Sequence, residues 1–398
     1  MVEQTYYEYN PWWEGDVYYG ELVERPEILS LLEQHLGSKS IIILTGLRRV
    51  GKTSLLRLLI HKLIARGIQS ERIFYVSLDD YVLNEKSIID IIDDYRKIHR
   101  LTRDTEVYLF LDEITYKDDF QQQLKNIHDS QNARVFASSS SASVLHDRKA
   151  FLTGRELTFE ILPLDFNEYL LFKKIKIMKR DEKLKDSYFK EYLETGGMPE
   201  YVLNPRREYL QALIDDIIYK DIIAFHNIKS HQAVKDFFML LMERAGKQLS
   251  INKVANILKI SPDTSKRYLS FFEDSYLVHS IPRYGKTNEA ILAPKKVYAP
   301  DTGIRNFITG FRDIESVFEN YLYLKIKTQG PRYIYSNGVE IDFYCSEKDL
   351  LLEAKYGPAM KEKQQKLFDS FKAKRKIIVS DYRDIESVES IISGNENN

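Results

Sequence analysis

The chain has 398 residues, 43% hydrophobic and 29% charged, with 58 Lys and Arg against 59 Asp and Glu. That is ordinary globular composition, and it excludes general disorder and a collagen-like chain. A net charge of −1 excludes a uniformly basic nucleic-acid binder but leaves room for a local basic face, and the single cysteine, Cys345, excludes a disulfide framework and a Cys-rich zinc site.

The length predicts two to four domains at roughly 100–200 residues each. The opening, MVEQTYYEYNPWWEGD, is acidic and aromatic, without the basic start and apolar core of a signal peptide. No run near it approaches the roughly 20 apolar residues of a membrane span. With the lone cysteine, this predicts a cytoplasmic protein and no membrane partner. Residues 1–16 are expected to be an arm whose aromatics dock on the first domain; the alternative is a partner-binding arm.

From 17 to 170, short apolar runs alternate with helical stretches. Ile41–Thr45, Ile73–Leu78, Val107–Leu111, Arg134–Ser138 and Leu157–Leu162 read as strands, and this alternation predicts a parallel α/β sheet. Residues 171–285 are mostly helical in period. Residues 286–390 return to strands, a Lys-rich helix and a last apolar strand at Ile377–Ser380. Residues 391–398, ending in GNENN, are expected to be a disordered tail.

The run Gly46-Leu47-Arg48-Arg49-Val50-Gly51-Lys52-Thr53 matches G-x-x-x-x-G-K-[ST] at every fixed position, between the strand IIILT and the helical run SLLRLLIHKLIARG. Glycines let the backbone wrap a phosphate with several N–H groups pointing inward, and the helix N-terminus adds partial positive charge. Gly46, Arg48, Arg49, Val50, Gly51, Lys52, Thr53 and Ser54 are the candidate nucleotide contacts. Lys52 would reach the β- and γ-phosphates and Thr53 would ligate Mg²⁺. About 60 residues later, VYLFLDE ends a strand in Asp112 and Glu113. Asp112 stands where a magnesium-organising carboxylate is needed, and Glu113 where a base can polarise the attacking water. The run Val135–Ser141 ends a third strand in serines; Ser138 and Ser139 are the candidates to approach the γ-phosphate, and Ser139 is counted with the nucleotide contacts.

The stretches GLRRVGKTSLL, LFLDE, SSSSASVLHDRKAFLTGRELTFEILPLDFNEYL, GGMPEYV, KVYAPDTGIRN, VFENYLYLKI and NGVEIDFYCSEKDLLLEAKYG keep a fixed order. From about Leu22 to Tyr356 the chain resembles a broad family of prokaryotic and archaeal predicted ATPases of the AAA+ type. The resemblance implies a P-loop NTPase parallel sheet with helices on both faces, a helical and winged-helix-like middle, and a small α/β domain of the restriction-endonuclease-like type. It also implies that Arg155, in LTGRE, senses or stabilises the γ-phosphate, within its own chain or from a neighbouring subunit of a homo-oligomer. The residue reading offers instead an ion pair with Glu156 or Glu160. The family's Thr-Gly-Ser run is here Ala137-Ser138-Ser139, so the sensor among serines 138–141 stays open.

Residues 236–285 read as a helix-turn-helix with a wing. Phe237–Ala245 forms a first helix. Ser250 caps INKVANILK, with Ile251, Val254, Ala255 and Leu258 on one face; Ser261 caps the next helix with Pro262 at its first position. That helix, Asp263–Asp274, is expected to bury Leu269 and Phe272 and to expose Ser265, Lys266, Arg267 and Ser270. Tyr276–Val278 and Ile281 read as wing strands. Lys266 and Arg267 are the candidate nucleic-acid contacts; the alternative is a protein-binding or lid module.

In the last region Asp342 lies in GVEIDFYC, and Glu353 and Lys355 in LLLEAKYG. Residues two apart on a strand face one side, so Glu353 and Lys355 should point together. Asp342 and Glu353 are candidate Mg²⁺ ligands, with Lys355 orienting water or offsetting phosphate charge. Glu319, and by the resemblance Glu340, would add further acids. The whole chain then reads as a DNA-associated protein that binds and hydrolyses ATP with Mg²⁺. The alternatives are a nucleotide-switched regulator of a protein partner or promoter, and an ATP-gated, Mg²⁺-dependent DNA nuclease.

Overall fold

Strands β1 (Ile41–Thr45), β2 (Ile73–Ser77), β3 (Val107–Asp112), β4 (Ala133–Ser138) and β5 (Glu156–Glu160) form one sheet in the order β2-β3-β4-β1-β5. Every pairing is parallel. The computed structural model describes residues 2–16, 22–142, 151–178, 181–357 and 359–393. The chain divides into two compact units between Ile161 and Leu162.

β1 and β3 are buried at every position, as strands covered on both faces must be. Helices α1 (Val2–Tyr9), α2 (Pro26–Glu33), α3 (Lys52–Ala65), α4 (Ile88–Ile98) and α5 (Phe120–Ser130) supply the cover. Ile41, Ile43, Leu109 and Leu111 share a core with Ile88, Ile91, Ile92 and Tyr95 of α4 and Leu124 and Ile127 of α5. Ser87 and Asp90 close a capping box on α4, fixing where that helix starts.

The N-terminal arm docks on the first unit, as its aromatics imply. Trp12 and Trp13 each donate their indole N–H to the Ile73 carbonyl, at 3.1 and 3.0 Å. The Asn10 amide donates to the Tyr75 carbonyl and accepts from the Tyr75 N–H, at 2.9 and 2.7 Å. These bonds occupy backbone groups of β2, the edge strand, which would otherwise stay unpaired.

The second unit starts with α6 (Phe166–Phe172), α7 (Glu182–Thr195), α8 (Pro199–Leu203) and α9 (Arg207–Asp216). A π-helical turn follows over Ile217–Ala224. Then come α10 (His231–Glu243), β6 (Lys247–Leu249), α11 (Ile251–Leu258), α12 (Pro262–Asp274), β7 (His279–Ile281), α13 (Thr287–Leu292) and β8 (Lys295–Tyr298). The three strands pair antiparallel in the order β6-β8-β7. Ser250 and Ser261 cap α11 and α12 as expected. One expectation fails here, and one strand falls across an expected boundary. Tyr276–Val278 is not a strand, because Tyr276 adopts φ +59° and turns the chain. The middle strand of this sheet, β8, lies beyond residue 285, in the segment assigned to the last domain.

After α14 (Thr302–Thr309) the last sheet is built from α15 (Ile314–Ile326), β9 (Arg332–Ser336), β10 (Val339–Cys345), β11 (Leu350–Ala354), α16 (Glu362–Ser370) and β12 (Arg375–Val379). Its order is β12-β11-β10-β9, with β11 and β12 parallel and the other pairs antiparallel. Helix α17 (Tyr382–Ser393) follows. It carries helix three residues into the tail expected to be disordered; 394–398 lie outside the described residues. Cys345 is buried in β10. No described helix is long and apolar enough to cross a membrane.

Candidate nucleotide site and the C-terminal acidic cluster

In a parallel sheet with order β2-β3-β4-β1-β5, the C-terminal ends of β1, β4 and β3 lie side by side, and ligands of such sheets sit at those ends. The phosphate loop leaves β1 there. Gly46 (φ +131°), Arg49 (φ +63°) and Gly51 (φ +100°) turn its backbone. A Cβ on Gly46 would overlap the Ile161 carbonyl oxygen, so only glycine fits that position. Gly51 is the N-cap of α3, which starts at Lys52. Lys52 is buried and its ammonium donates to the Gly46 and Leu47 carbonyls at 2.9 and 3.0 Å, inside the loop it is expected to serve. Val50 is buried, and its carbonyl accepts from Arg25 at 3.2 Å. Arg48 donates to the Tyr116 hydroxyl at 3.2 Å, Arg49 is exposed, and Ser54 is half-buried in the first turn of α3.

At the end of β3 the Asp112 carboxylate is buried and gathers three hydroxyls. Thr53 Oγ1 donates to its Oδ2 at 2.6 Å and the Tyr75 hydroxyl to the same oxygen at 2.9 Å, while Ser138 Oγ donates to Oδ1. Burial and the Asp112 charge push the Tyr75 phenol far up, so it stays a donor. Glu113 follows in the left-handed region, φ +54°, which a non-glycine residue adopts only where neighbours impose it. Its N–H donates to Ser138 Oγ at 2.9 Å, and Ser140 Oγ donates to its Oε1 at 2.6 Å. Its Oε2 is buried without a hydrogen-bond partner among the described residues. Thr53, Asp112 and Glu113 therefore meet as the motif spacing requires. Ser140 lies among the serines 138–141 left open as the sensor, whereas Tyr75, in the middle of a predicted strand, was not singled out and carried no local signal.

The serines divide their work. Ser138 belongs to the carboxylate cluster. Ser139 Oγ instead donates to the Ser141 carbonyl at 3.0 Å and accepts from its N–H at 3.1 Å, closing a local turn. Arg155 lies away from the phosphate loop of its own chain and does not form the ion pair expected from the residue reading. It donates to Asp129 at 2.9 and 3.2 Å, not to Glu156 or Glu160, and this pairing holds the exposed Asp129 carboxyl at about 2. Its carbonyl accepts from Ile41 N at 2.7 Å, which puts it at the start of β1. The phosphate loop leaves the other end, roughly 13 Å away at about 3.3 Å per residue. Arg155 does not join the site of its own chain.

In the second unit Lys266 and Arg267 are exposed on α12. Ser265, expected beside them on the open face, is fully buried, its hydroxyl toward the Ile251 carbonyl at 3.5 Å. Arg267 lies near His226, whose ring stacks on Phe271 with centroids 3.5 Å apart. Burial first, and then the Arg267 charge, lower the His226 pKa.

The acidic constellation of the last sheet assembles, but around a cation the sequence reading did not name. Lys355 pairs with Glu353 at 2.8 Å, so those two point together as expected. Asp342 Oδ1 instead meets Lys296 of β8 at 2.9 Å, and Lys296 also meets Glu319 at 2.7 Å and Glu340 at 2.6 Å. Asp342 and Glu353 do not converge on a common open point. Asp342 Oδ2 accepts from Ala354 N at 3.0 Å, Glu353 Oε2 accepts from Asp342 N at 3.1 Å, and Glu353 Oε1 is taken by Lys355 and Gln364. The pair thus does not fit Mg²⁺ in this arrangement. Among the described residues, no group of three or more His, Cys, Asp or Glu side chains is arranged to hold a metal ion. Burial, and then the Asp342 charge, push the Glu319 carboxyl up to about 8. Glu353 is raised by the same two causes.

The phosphate loop and its carboxylates fall inside a match, over residues 38–170, to the family model of an AAA domain. Residues 38–170 are thus similar to an AAA domain, and they carry the parallel sheet with the phosphate loop between β1 and α3. Residues 186–315 match a domain of unknown function (DUF8612). The chain is similar to the uncharacterized protein MJ1544 of Methanocaldococcus jannaschii, 28% identical over 360 residues, covering 83% of this chain and 78% of the relative. An uncharacterized protein of Haemophilus influenzae is 26% identical over 352 residues, covering 83% of this chain and 86% of its own. Among solved structures, the Thermotoga maritima RuvB Holliday junction branch migration motor matches at 18% identity and a TM-score of 0.34, covering 68% of this chain and 95% of its own. AMPPCP-bound DnaA from Aquifex aeolicus matches at 15% identity and a TM-score of 0.30, covering 64% of this chain and 89% of its own.

Proposed function

We propose that this protein binds and hydrolyses ATP as an AAA+-type ATPase and associates with DNA. The observation that carries the reading is the meeting of Lys52, Thr53, Asp112 and Glu113 at one end of a parallel sheet. The backbone N–H groups of the loop and the N-terminus of α3 would bind the phosphates. Lys52, released from its loop carbonyls, would follow them to the β- and γ-positions. Thr53 and Asp112 are the residues to hold Mg²⁺: they are already paired at 2.6 Å, and their oxygens suit a hard cation. The ion supplies charge neutralisation on the phosphates. Glu113 takes the proton side of the attack, its Oε2 orienting the water while Ser140 fixes Oε1.

The segment from α10 to β8 runs helix, strand, helix, helix, strand, a short helix and a last strand, with β7 and β8 paired antiparallel, which supports a winged helix whose wing spans β7 to β8 and carries α13 at its tip. Lys266 and Arg267, exposed on its second motif helix, support DNA contact through phosphates or the major groove. The order α15-β9-β10-β11-α16-β12 supports a nuclease-like fold for the last sheet. Arg155, at the far end of its own sheet, is read as an arginine offered to a neighbouring copy in a homo-oligomer.

The test is Mg²⁺-dependent ATP hydrolysis by the purified protein, with and without duplex DNA, beside a Lys266→Ala/Arg267→Ala variant. DNA raising the rate in the wild type, and raising it less in the variant, supports the coupled reading. A rate indifferent to DNA removes DNA association from it.

A further inference from the structure

A lysine ammonium has three N–H donors and no acceptor. At Lys296 all three are met by carboxylates: Glu319 Oε1 at 2.7 Å, Glu340 Oε1 at 2.6 Å and Asp342 Oδ1 at 2.9 Å. The side chain is 1% exposed. A buried ammonium without partners would lose its proton.

The acids are held in turn. The Tyr298 hydroxyl donates to Glu319 Oε1 at 2.7 Å, Gln248 Nε2 to Glu340 Oε2 at 2.7 Å, and Ala354 N to Asp342 Oδ2 at 3.0 Å. The oxygens that converge from α15 and β10 converge on Nζ. A divalent cation in such a cluster needs several oxygen ligands at about 2.0–2.6 Å around one point, and the ammonium has taken that point.

We propose that Lys296 is the resident cation of the Glu319, Glu340 and Asp342 cluster, standing where a divalent cation would otherwise bind. Lys296 and Tyr298 come from β8 and Gln248 from β6, whereas the acids come from β10 and α15. The lysine therefore also bolts the three-stranded sheet to the four-stranded one. The last sheet then works without a divalent cation at this centre, rather than as a nuclease dependent on a metal held by these acids. This inference does not depend on the ATPase reading, and its test uses no nucleotide.

The test is Mn²⁺ binding to the full-length protein, read by electron paramagnetic resonance. Wild type and Asp342→Asn should bind the same number of ions, because the cluster holds none in either. Lys296→Met, which removes the ammonium and keeps the volume, should gain one ion over wild type. Loss of an ion in Asp342→Asn, or a folded Lys296→Met that gains none, overturns the proposal. Where either variant does not fold, amine acylation of the wild type decides. Lys296 should stay unlabelled while the exposed Lys266 reacts; labelling of both at the same rate overturns the assignment.

Discussion

Ser140 Oγ donates to Glu113 Oε1 at 2.6 Å, and the other carboxylate oxygen of Glu113 is buried with no partner among the described residues. One oxygen is thus fixed and the other is left to accept. A carboxylate held that way can orient a water and take its proton without first reorganising. Glu113 holds a left-handed backbone, φ +54°, while its side chain meets Ser140.

Replacing that carboxylate with an amide separates binding from chemistry. Glu113→Gln keeps the side chain's size and its contact with Ser140 but loses the base. Nucleotide affinity should stay within about twofold of wild type while turnover falls by about 10²-fold or more. Fluorescent-nucleotide titration and steady-state phosphate release check it; unchanged turnover would remove Glu113 from this role.

Ser140→Ala should act more mildly. It leaves a partly buried carboxylate oxygen without its donor, which costs about 1–3 kcal/mol of stability. It should also lower kcat with KM little changed, since Ser140 positions the base and lies outside the phosphate loop. A drop confined to KM would place the hydroxyl on the nucleotide instead.

Gly46→Ala should collapse the phosphate loop. The residue has φ +131°, and an added Cβ would overlap the Ile161 carbonyl oxygen. Backbone strain alone costs about 1–3 kcal/mol, and the N–H groups of the loop would lose their common aim. Thermal melting and nucleotide titration should both show the loss. An unchanged melting temperature would mean that the loop tolerates a side chain there.

What was legible in the sequence follows from where the constraints are local. Gly46, Gly51, Lys52 and Thr53 are fixed by the shape of one loop, and the strand before it by a run of four apolar residues. Ser250 and Ser261 were legible as caps because a cap is decided within four residues. Tyr75 and the choice of Ser140 among the serines 138–141 were not, because their roles arise only when β2, β3 and β4 pair in register around Asp112 and Glu113. Lys296 is the clearest case. In KKVYAP it reads as one of two adjacent strand lysines, and its partners lie 23 to 46 positions on, in α15 and β10. Only alternation gave a hint, since Lys295 and Lys296 must face opposite sides. Ser265 is buried rather than exposed as expected; a small polar residue on α12 looks the same on either face until its packing against α11 is known.

Stability should depend on pH through Asp301. This carboxylate is fully buried, accepting from Gly197 N at 2.6 Å and Ile304 N at 3.0 Å. Burial pushes it up from 3.8 to about 6, against the pull of those N–H groups. The folded state therefore binds a proton that the unfolded chain has already released. The associated stability is complete below about pH 3.8, falls as pH rises through 6, and is then level, a loss of roughly 3 kcal/mol. Urea midpoints between pH 4 and 7 should fall less steeply for Asp301→Asn than for wild type. Superimposable profiles would exclude this carboxylate as the source.

The most direct test of the central claim is ATP hydrolysis in the presence of Mg²⁺ by the wild type beside Lys52→Ala, prepared identically. Wild type should release phosphate in a Mg²⁺-dependent way, and Lys52→Ala should sit at the background, because no other ammonium is buried in the phosphate loop among the described residues. Equal rates in the two proteins, or no release by the wild type with or without DNA, would contradict the assignment of this sheet end as an ATPase site.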